Sequence, residues 1–268
     1  MQVQLALKLI ESAISETRGN ADHFAENLRR REIPHISYSQ VAAVEACPHR
    51  YYLQYVLNLE PNPVPDYFTK GKLLHRVIAT SYETLAQHQN PDASEHYRQV
   101  AAACQGDAQR HLCNAVTVHL EHLWQEYEVV AVEQPFALII EDGLPPCVGV
   151  IDLILRQDGH YLLVDHKTGR DFYPQDVLQM SIYQEYIRNR FGDQPCSFFY
   201  DNYRWVNNLG RIRKPPFQRT EVTHLEPFRS AALERIRDGW RAIEQIRNAD
   251  GGIKSGECFR CPYRRMCR

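Results

Sequence analysis

Gly149-Val-Ile-Asp-Leu-Ile-Leu-Arg-Gln-Asp-Gly-His-Tyr-Leu-Leu-Val-Asp-His-Lys-Thr-Gly169 reads as two apolar strands joined by a tight Asp158-Gly159 turn. Each strand carries a carboxylate where the pattern calls for an apolar residue: Asp152 in the first and Asp165 at the end of the second. Lys167 follows two residues after Asp165. Side chains two apart on a strand share a face, so Asp165 and Lys167 project together. The hairpin brings Asp152 alongside. Two carboxylates and an ammonium on one sheet face can hold a divalent metal and stabilise an anionic transition state. The ordinary alternatives are a buried Arg partner for Asp152 and a solvated strand end for Lys167. An uncompensated charge in so apolar a strand is costly, which favours a partner or a metal.

The surrounding 268 residues are 44% hydrophobic, enough for a substantial core, and their charges nearly cancel to a formal −2. A nucleic-acid surface, if present, must therefore be a local basic patch. No apolar run approaches the roughly 20 residues of a membrane span. The N-terminal stretch lacks a basic region and a long apolar stretch, so no signal peptide is expected and a cytoplasmic location is the default.

Outward from the hairpin, 129–140 is β-like, and Asp142-Gly143 predicts a second short turn into 147–156. Helical periodicity covers about 174–191, with strands at 197–200 and 217–223 and a long helix over about 226–249. Before the sheet, helices are expected at 3–31, from Ser37 or Ser39 to about Leu57, over about 69–87, and through most of 90–128. Pro61, Pro63 and Pro65 mark a loop. The order predicts a mixed α/β domain at 36–268 with helical elaboration at about 90–128, preceded by a helical extension at 1–35.

Gln179 and Tyr183 stand one turn apart on the helix after the hairpin and share a face. Either could belong to an ordinary amphipathic helix. His75 lies on an earlier helix, where a lone histidine is usually structural. Taken together, His75, Gly149-x-x-Asp152, Asp165-His166-Lys167 and Gln179-x-x-x-Tyr183 resemble, in order and spacing, the RecB-type nucleases of the PD-(D/E)xK superfamily. The resemblance runs from about Ser37 to the C-terminus.

That resemblance implies a restriction-endonuclease-like core, a mixed central sheet flanked by helices, that hydrolyses phosphodiester bonds with Mg²⁺ or Mn²⁺. It makes Asp152, Asp165 and Lys167 catalytic. His75, Asp152, Asp165 and the His166 backbone carbonyl become metal ligands. Gln179 and Tyr183 would position DNA. Glu133 is a further candidate ligand, although a solvated strand carboxylate shows the same pattern.

Eight cysteines without a secretory context argue against a disulfide framework. Cys258-x2-Cys261-x5-Cys267 is too tight for routine core thiols, and spacing alone leaves zinc and iron–sulfur both open. Cys47 is followed by proline, as Cys261 is. One cysteine before the nuclease motifs and three after them is similar to the iron–sulfur RecB-type group, which includes the AddB nuclease domain and the CRISPR-associated exonucleases. The likeness implies that Cys47, Cys258, Cys261 and Cys267 hold a four-iron four-sulfur (4Fe-4S) cluster, in a tail at 253–268, as a structural staple.

Arg204, Arg211, Arg213, Lys214 and Arg219, interleaved with Tyr200, Tyr203 and Trp205, form a candidate single-strand surface. A solvated loop with core aromatics fits the same residues. A second basic group is Arg260, Arg264, Arg265 and Arg268. Gly71-Lys72 lacks the earlier glycine of a Walker A loop, so no ATP motor is expected. The implied partners are DNA single strands or frayed ends, a separate helicase, or a CRISPR integrase complex. The implied roles are repair, recombination, or phage defence including CRISPR adaptation. The rival readings are a catalytically weak nuclease-fold scaffold and a zinc-stabilised nucleic-acid-binding protein.

Overall fold

The computed structural model describes residues 3–17, 20–172, 176–223, 225–226, 229–249, 258 and 261–267. A five-stranded sheet forms its centre, in the order β1 (Glu128–Leu138), β2 (Cys147–Gln157), β3 (His160–Gly169), β4 (Cys196–Arg204), β5 (Phe217–Val222). All neighbours are antiparallel except β3 and β4, which run parallel. A parallel pair needs a crossover, and helix α8 (Val177–Phe191) supplies it. This is a mixed α/β fold, as the order of elements predicts.

The two Asp-Gly pairs behave differently. Asp158 and Gly159 form the whole β2–β3 turn, both with positive φ (50° and 78°), the backbone that a two-residue hairpin requires. Gly143 also has positive φ (90°), but β1 ends at Leu138 and β2 begins at Cys147. Instead of the expected short turn, a longer loop joins them, because Pro145 and Pro146 cannot donate to a ladder there.

The helices around the sheet are α1 (Val3–Glu16), α2 (Ala21–Arg30), α3 (Tyr38–Ala46), α4 (Pro48–Tyr51), α5 (Asp66–Ala86), α6 (Ala93–Ala103), α7 (Gly106–Glu121) and α9 (Arg229–Asn248). Ser37 caps α3, accepting from the Gln40 amide at 3.2 Å. The helix predicted to run to Leu57 is interrupted. Pro48 pushes Cys47 into extended backbone (φ −168°), α4 restarts with proline at its first turn, and Tyr52–Val56 widens into a π-turn. No helix among the described residues is long and apolar enough to cross a membrane.

Both faces of the sheet are covered. Ile151, Leu163, Phe198 and Tyr200 pack on one side with residues of α3, α8 and α9. Leu153, Leu155, Leu162, Val164 and Tyr203 pack on the other with residues of α5, α6 and α7. Ala6 and Ile10 of α1 and Phe24 and Leu28 of α2 form a smaller cluster that includes Val148 of β2.

Gly149 faces Phe136 across β1 and β2, and a Cβ there would lie 2.7 Å from two ring carbons of a buried phenylalanine. Gly149→Ala is expected to destabilise the fold by about 1–3 kcal/mol, and Phe136→Leu in the same chain to recover part of that loss. Urea unfolding of the three proteins checks this; equal midpoints for wild type and Gly149→Ala would contradict it.

Candidate active site

The site forms where the ladders part. Between β1 and β2 the pairing runs Val132 with Leu153 and Gln134 with Ile151, so Glu133 and Asp152 stand opposite each other without pairing. Glu133 takes positive φ (47°), and the alternation of β2 changes sense here: Ile151 belongs to one core, Leu153 to the other. Between β2 and β3 the recorded pairing ends at Leu153 with Val164, one step short of Asp152 and Asp165. The Asp152 carboxylate then accepts the His166 backbone amide at 2.7 Å.

Three ligand-type atoms meet in this gap. His75, from α5, has its Nδ1 3.6 Å from Asp152 Oδ2 and 3.9 Å from a Glu133 carboxylate oxygen. Together His75, Glu133 and Asp152 place one ligand atom each within 4.8 Å of one another, the group among the described residues that could hold a metal ion. Two carboxylates and one imidazole suit Mg²⁺ or Mn²⁺. Burial, and then the neighbouring Asp165, push the Asp152 pKa up to about 6, against the pull of His75 and the His166 amide. The pocket is therefore short of positive charge, as a cation site should be.

Asp165 has protein partners on both of its carboxylate oxygens. It is buried, and its Oδ2 pairs with Lys167 Nζ at 2.6 Å. Its Oδ1 accepts from Gln179 Nε2 at 2.5 Å and from the Tyr183 hydroxyl at 3.1 Å. Gln179 also accepts from Lys167 at 2.8 Å, so one carboxamide spans both members of the pair. The Tyr183 hydroxyl has a second acceptor, the Val150 carbonyl at 2.9 Å, and one proton to share between the two. Gln179 and Tyr183 are thus seen holding Asp165 in place. Burial works against the Lys167 charge, but Asp165, with Asp152 and Tyr38, outweighs it and the pKa is raised. Lys167 is an ammonium. Tyr38, close enough to take part in this balance, is a neighbour that no sequence motif announces.

The His166 side chain points to the opposite face, stacked on Tyr82 (6.1 Å between centroids) and packed near His119 and Tyr203. Burial holds its pKa well below the usual histidine range. The same ring stands edge-on to that of His75, 6.3 Å between centroids, while the backbone amide meets Asp152.

The basic segment needs correction. Tyr200, Tyr203 and Trp205 are buried (1%, 1% and 8% exposed) and cannot stack on bases from outside. Arg219 is also structural: it pairs with the buried Asp201 at 2.8 Å and lies 3.6 Å from the Trp124 ring centroid. Arg211, Arg213 and Lys214 are exposed, and Arg204 is half-buried, donating to the Lys214 carbonyl. Lys214 also pairs with Asp171 at 2.8 Å. Arg264 and Arg265 are exposed, whereas Arg260 and Arg268 lie outside the described residues, as does half of the 253–268 tail.

None of the eight cysteines forms a disulfide. Cys47 lies between α3 and α4. From the C-terminal tail, the buried Tyr263 donates to the Leu59 carbonyl at 3.0 Å and senses Arg50, Cys261 and Glu60 electrostatically. The tail with Cys261 and Cys267 is thereby anchored on the 50–60 segment that follows Cys47. No three of the cysteine sulfurs in the described residues come within 4.8 Å of one another. They are not gathered at the closer spacing of a tetrahedral zinc site.

The family model of the PD-(D/E)XK nuclease superfamily matches residues 35–268. The chain belongs to that superfamily. Among solved structures, it is similar in fold to the crystal structure of a provisionally assigned exonuclease from Eubacterium rectale. The two superpose with a TM-score of 0.62 at 12% identity, over 91% of this chain and 92% of that one. No curated protein sequence matches.

The raised Asp152 pKa has a sign that can be tested. The folded protein binds this proton more tightly than the unfolded chain, so the metal-free fold gains stability from the group as pH falls through about 6 and loses it as the carboxyl ionises. Asp152→Asn is therefore expected to raise the metal-free Tm at pH 7 and to abolish the further rise on adding Mn²⁺. In the wild type, calorimetric Mn²⁺ affinity should fall about tenfold per pH unit below pH 6, where a proton competes with the ion. Affinity that stays flat from pH 5 to 7 would contradict this.

Proposed function

We propose that this chain is a divalent-metal-dependent deoxyribonuclease that cleaves phosphodiester bonds at single-stranded or frayed DNA ends, an exonuclease rather than an endonuclease. The observation that supports this most is the meeting of the His75–Glu133–Asp152 group with the Asp165–Lys167 pair where the ladders of β1, β2 and β3 part. His75, Glu133 and Asp152 would hold Mg²⁺ or Mn²⁺, with Asp165 and the His166 backbone carbonyl as further ligands. When bound, the ion lowers the pKa of water and offsets oxyanion charge.

The chain's own groups do the rest. Lys167, kept charged by Asp165, donates to the attacking water and to the oxygens of the phosphorane. Gln179 fixes Lys167 and Asp165 in one orientation, and Tyr183 buttresses Asp165 from behind. On this reading Gln179 and Tyr183 also form the wall against which the DNA backbone lies. Arg204, Arg211, Arg213 and Lys214 neutralise phosphates further along the strand.

Cys47, Cys258, Cys261 and Cys267 would hold a 4Fe-4S cluster. Four cysteines outside any disulfide, with the tail anchored beside the Cys47 segment, fit such a staple, which closes a loop around the entire sheet. Residues 36–268 are the RecB-type nuclease domain in this reading, and 1–35 an extension. The chain would work in the cytoplasm with a separate helicase or a CRISPR integrase complex, in repair, recombination or phage defence.

End-labelled single- and double-stranded DNA with Mg²⁺ or Mn²⁺ tests the catalytic part. Lys167→Ala is expected to slow cleavage by about 10²-fold or more; equal rates for wild type and variant would end the proposal. For the cluster, anaerobically purified protein is expected to be brown and to contain iron, and Cys261→Ala to lose colour and heat stability together. A colourless wild type, or a soluble variant of unchanged Tm, would rule the staple out.

A further inference from the structure

A cavity of about 790 Å³ opens beside Gln179 and Tyr183, and the chemistry above does not use it. Phe24, Tyr38, Tyr55 and Phe136 give it aromatic walls, and Gln40 and Gln54 line it with carboxamides. Gln40 is only 3% exposed, yet its Oε1 has no hydrogen-bond partner, and neither has the buried Oε1 of Gln54. A buried acceptor left open costs free energy unless something fills it.

The orientation of Gln40 follows from its neighbour. His35 Nδ1 lies 2.7 Å from the Ile33 carbonyl, so that nitrogen carries the proton and donates. Burial pushes the His35 pKa down and keeps the ring neutral, which leaves Nε2 an acceptor. Gln40 Nε2 faces that atom at 3.5 Å as donor. Its Oε1 is then the carboxamide atom left without a partner.

We propose that this cavity is a nucleobase pocket, which takes one unstacked base of the substrate strand beside the scissile phosphate and favours bases bearing an exocyclic amino group. The proposal rests on the nuclease reading above and names the substrate feature that reading leaves open. Aromatic walls suit the faces of a base, and the volume lies in the usual range for ligand pockets, roughly 300–1,000 Å³. Two unpartnered carbonyl acceptors on residues that line the cavity match the amino group of adenine or cytosine, whereas thymine presents a carbonyl at the same position. A paired and stacked base cannot enter such a pocket, so it selects single strands. Phe24 belongs to α2, before the residues that the superfamily match covers. The pocket thus extends beyond the residues that the superfamily match covers.

The test uses the full chain and a series of single-stranded oligonucleotides, each with one abasic position, and two readouts. Binding is measured by fluorescence anisotropy with Lys167→Ala protein and Ca²⁺, and cleavage with wild type and Mn²⁺. The expected result is one position next to the cleaved bond where losing the base weakens binding by about tenfold or more. At that position adenine and cytosine should outperform thymine, and Gln40→Met should erase the difference. An abasic scan with no sensitive position, on a protein that binds and cuts DNA, overturns the pocket and leaves the nuclease standing. A sensitive position with no base preference, or a preference that survives in folded Gln40→Met, overturns the role of the carboxamides. A chain that neither binds nor cuts any strand overturns both readings. The abasic scan needs no cavity variant, so it decides even if Gln40→Met does not fold.

Discussion

Crowded, dehydrated carboxylates are the constraint on which the site turns. Glu133, Asp152 and Asp165 come from three neighbouring strands, and Asp165 is almost wholly buried. The protein offsets one of these charges itself: Lys167, Gln179 and the Tyr183 hydroxyl surround Asp165 with donors. For Asp152 it supplies an amide and a nearby imidazole, which is too little, and the pKa rises to about 6. Such a deficit is what a bound cation would offset, and the strained backbone of Glu133 lies at the same point.

The rest of the architecture follows from keeping the gap between these strands open. If β1, β2 and β3 paired fully, Glu133, Asp152 and Asp165 would be locked into ladders. Instead the pairing omits Glu133 and Asp152 on one side and stops before Asp152 and Asp165 on the other. The parallel β3–β4 step requires a crossover, and the crossover helix returns Gln179 and Tyr183 to the end of β3. On the reverse face His166 packs among His75, Tyr82, His119 and Tyr203, which braces the strand between Asp165 and Lys167.

Much of this was legible in the sequence. Alternation alone puts Asp165 and Lys167 on one face and His166 on the other, and the two-residue Asp158-Gly159 turn sets the hairpin. The failures have physical causes. Asp142-Gly143 looks like the other turn, but two prolines further on lengthen the loop. Tyr200, Tyr203 and Trp205 look like a stacking surface, yet β4 is an interior strand covered on both faces, so Tyr200 and Tyr203 are buried, and Trp205, just past its end, is buried with them. Glu133 resembles any strand carboxylate until the skipped pairing turns it toward His75. Gln40 and His35 carry no motif; only their burial together reveals an open acceptor.

The most direct test is a crystal of the wild-type protein soaked in Mn²⁺ and measured for anomalous scattering. The account requires a peak bounded by His75 Nδ1 and the carboxylates of Glu133 and Asp152, beside Asp165 and within reach of Lys167. A fully soaked crystal with no peak there, or with manganese bound only elsewhere on the chain, would contradict it.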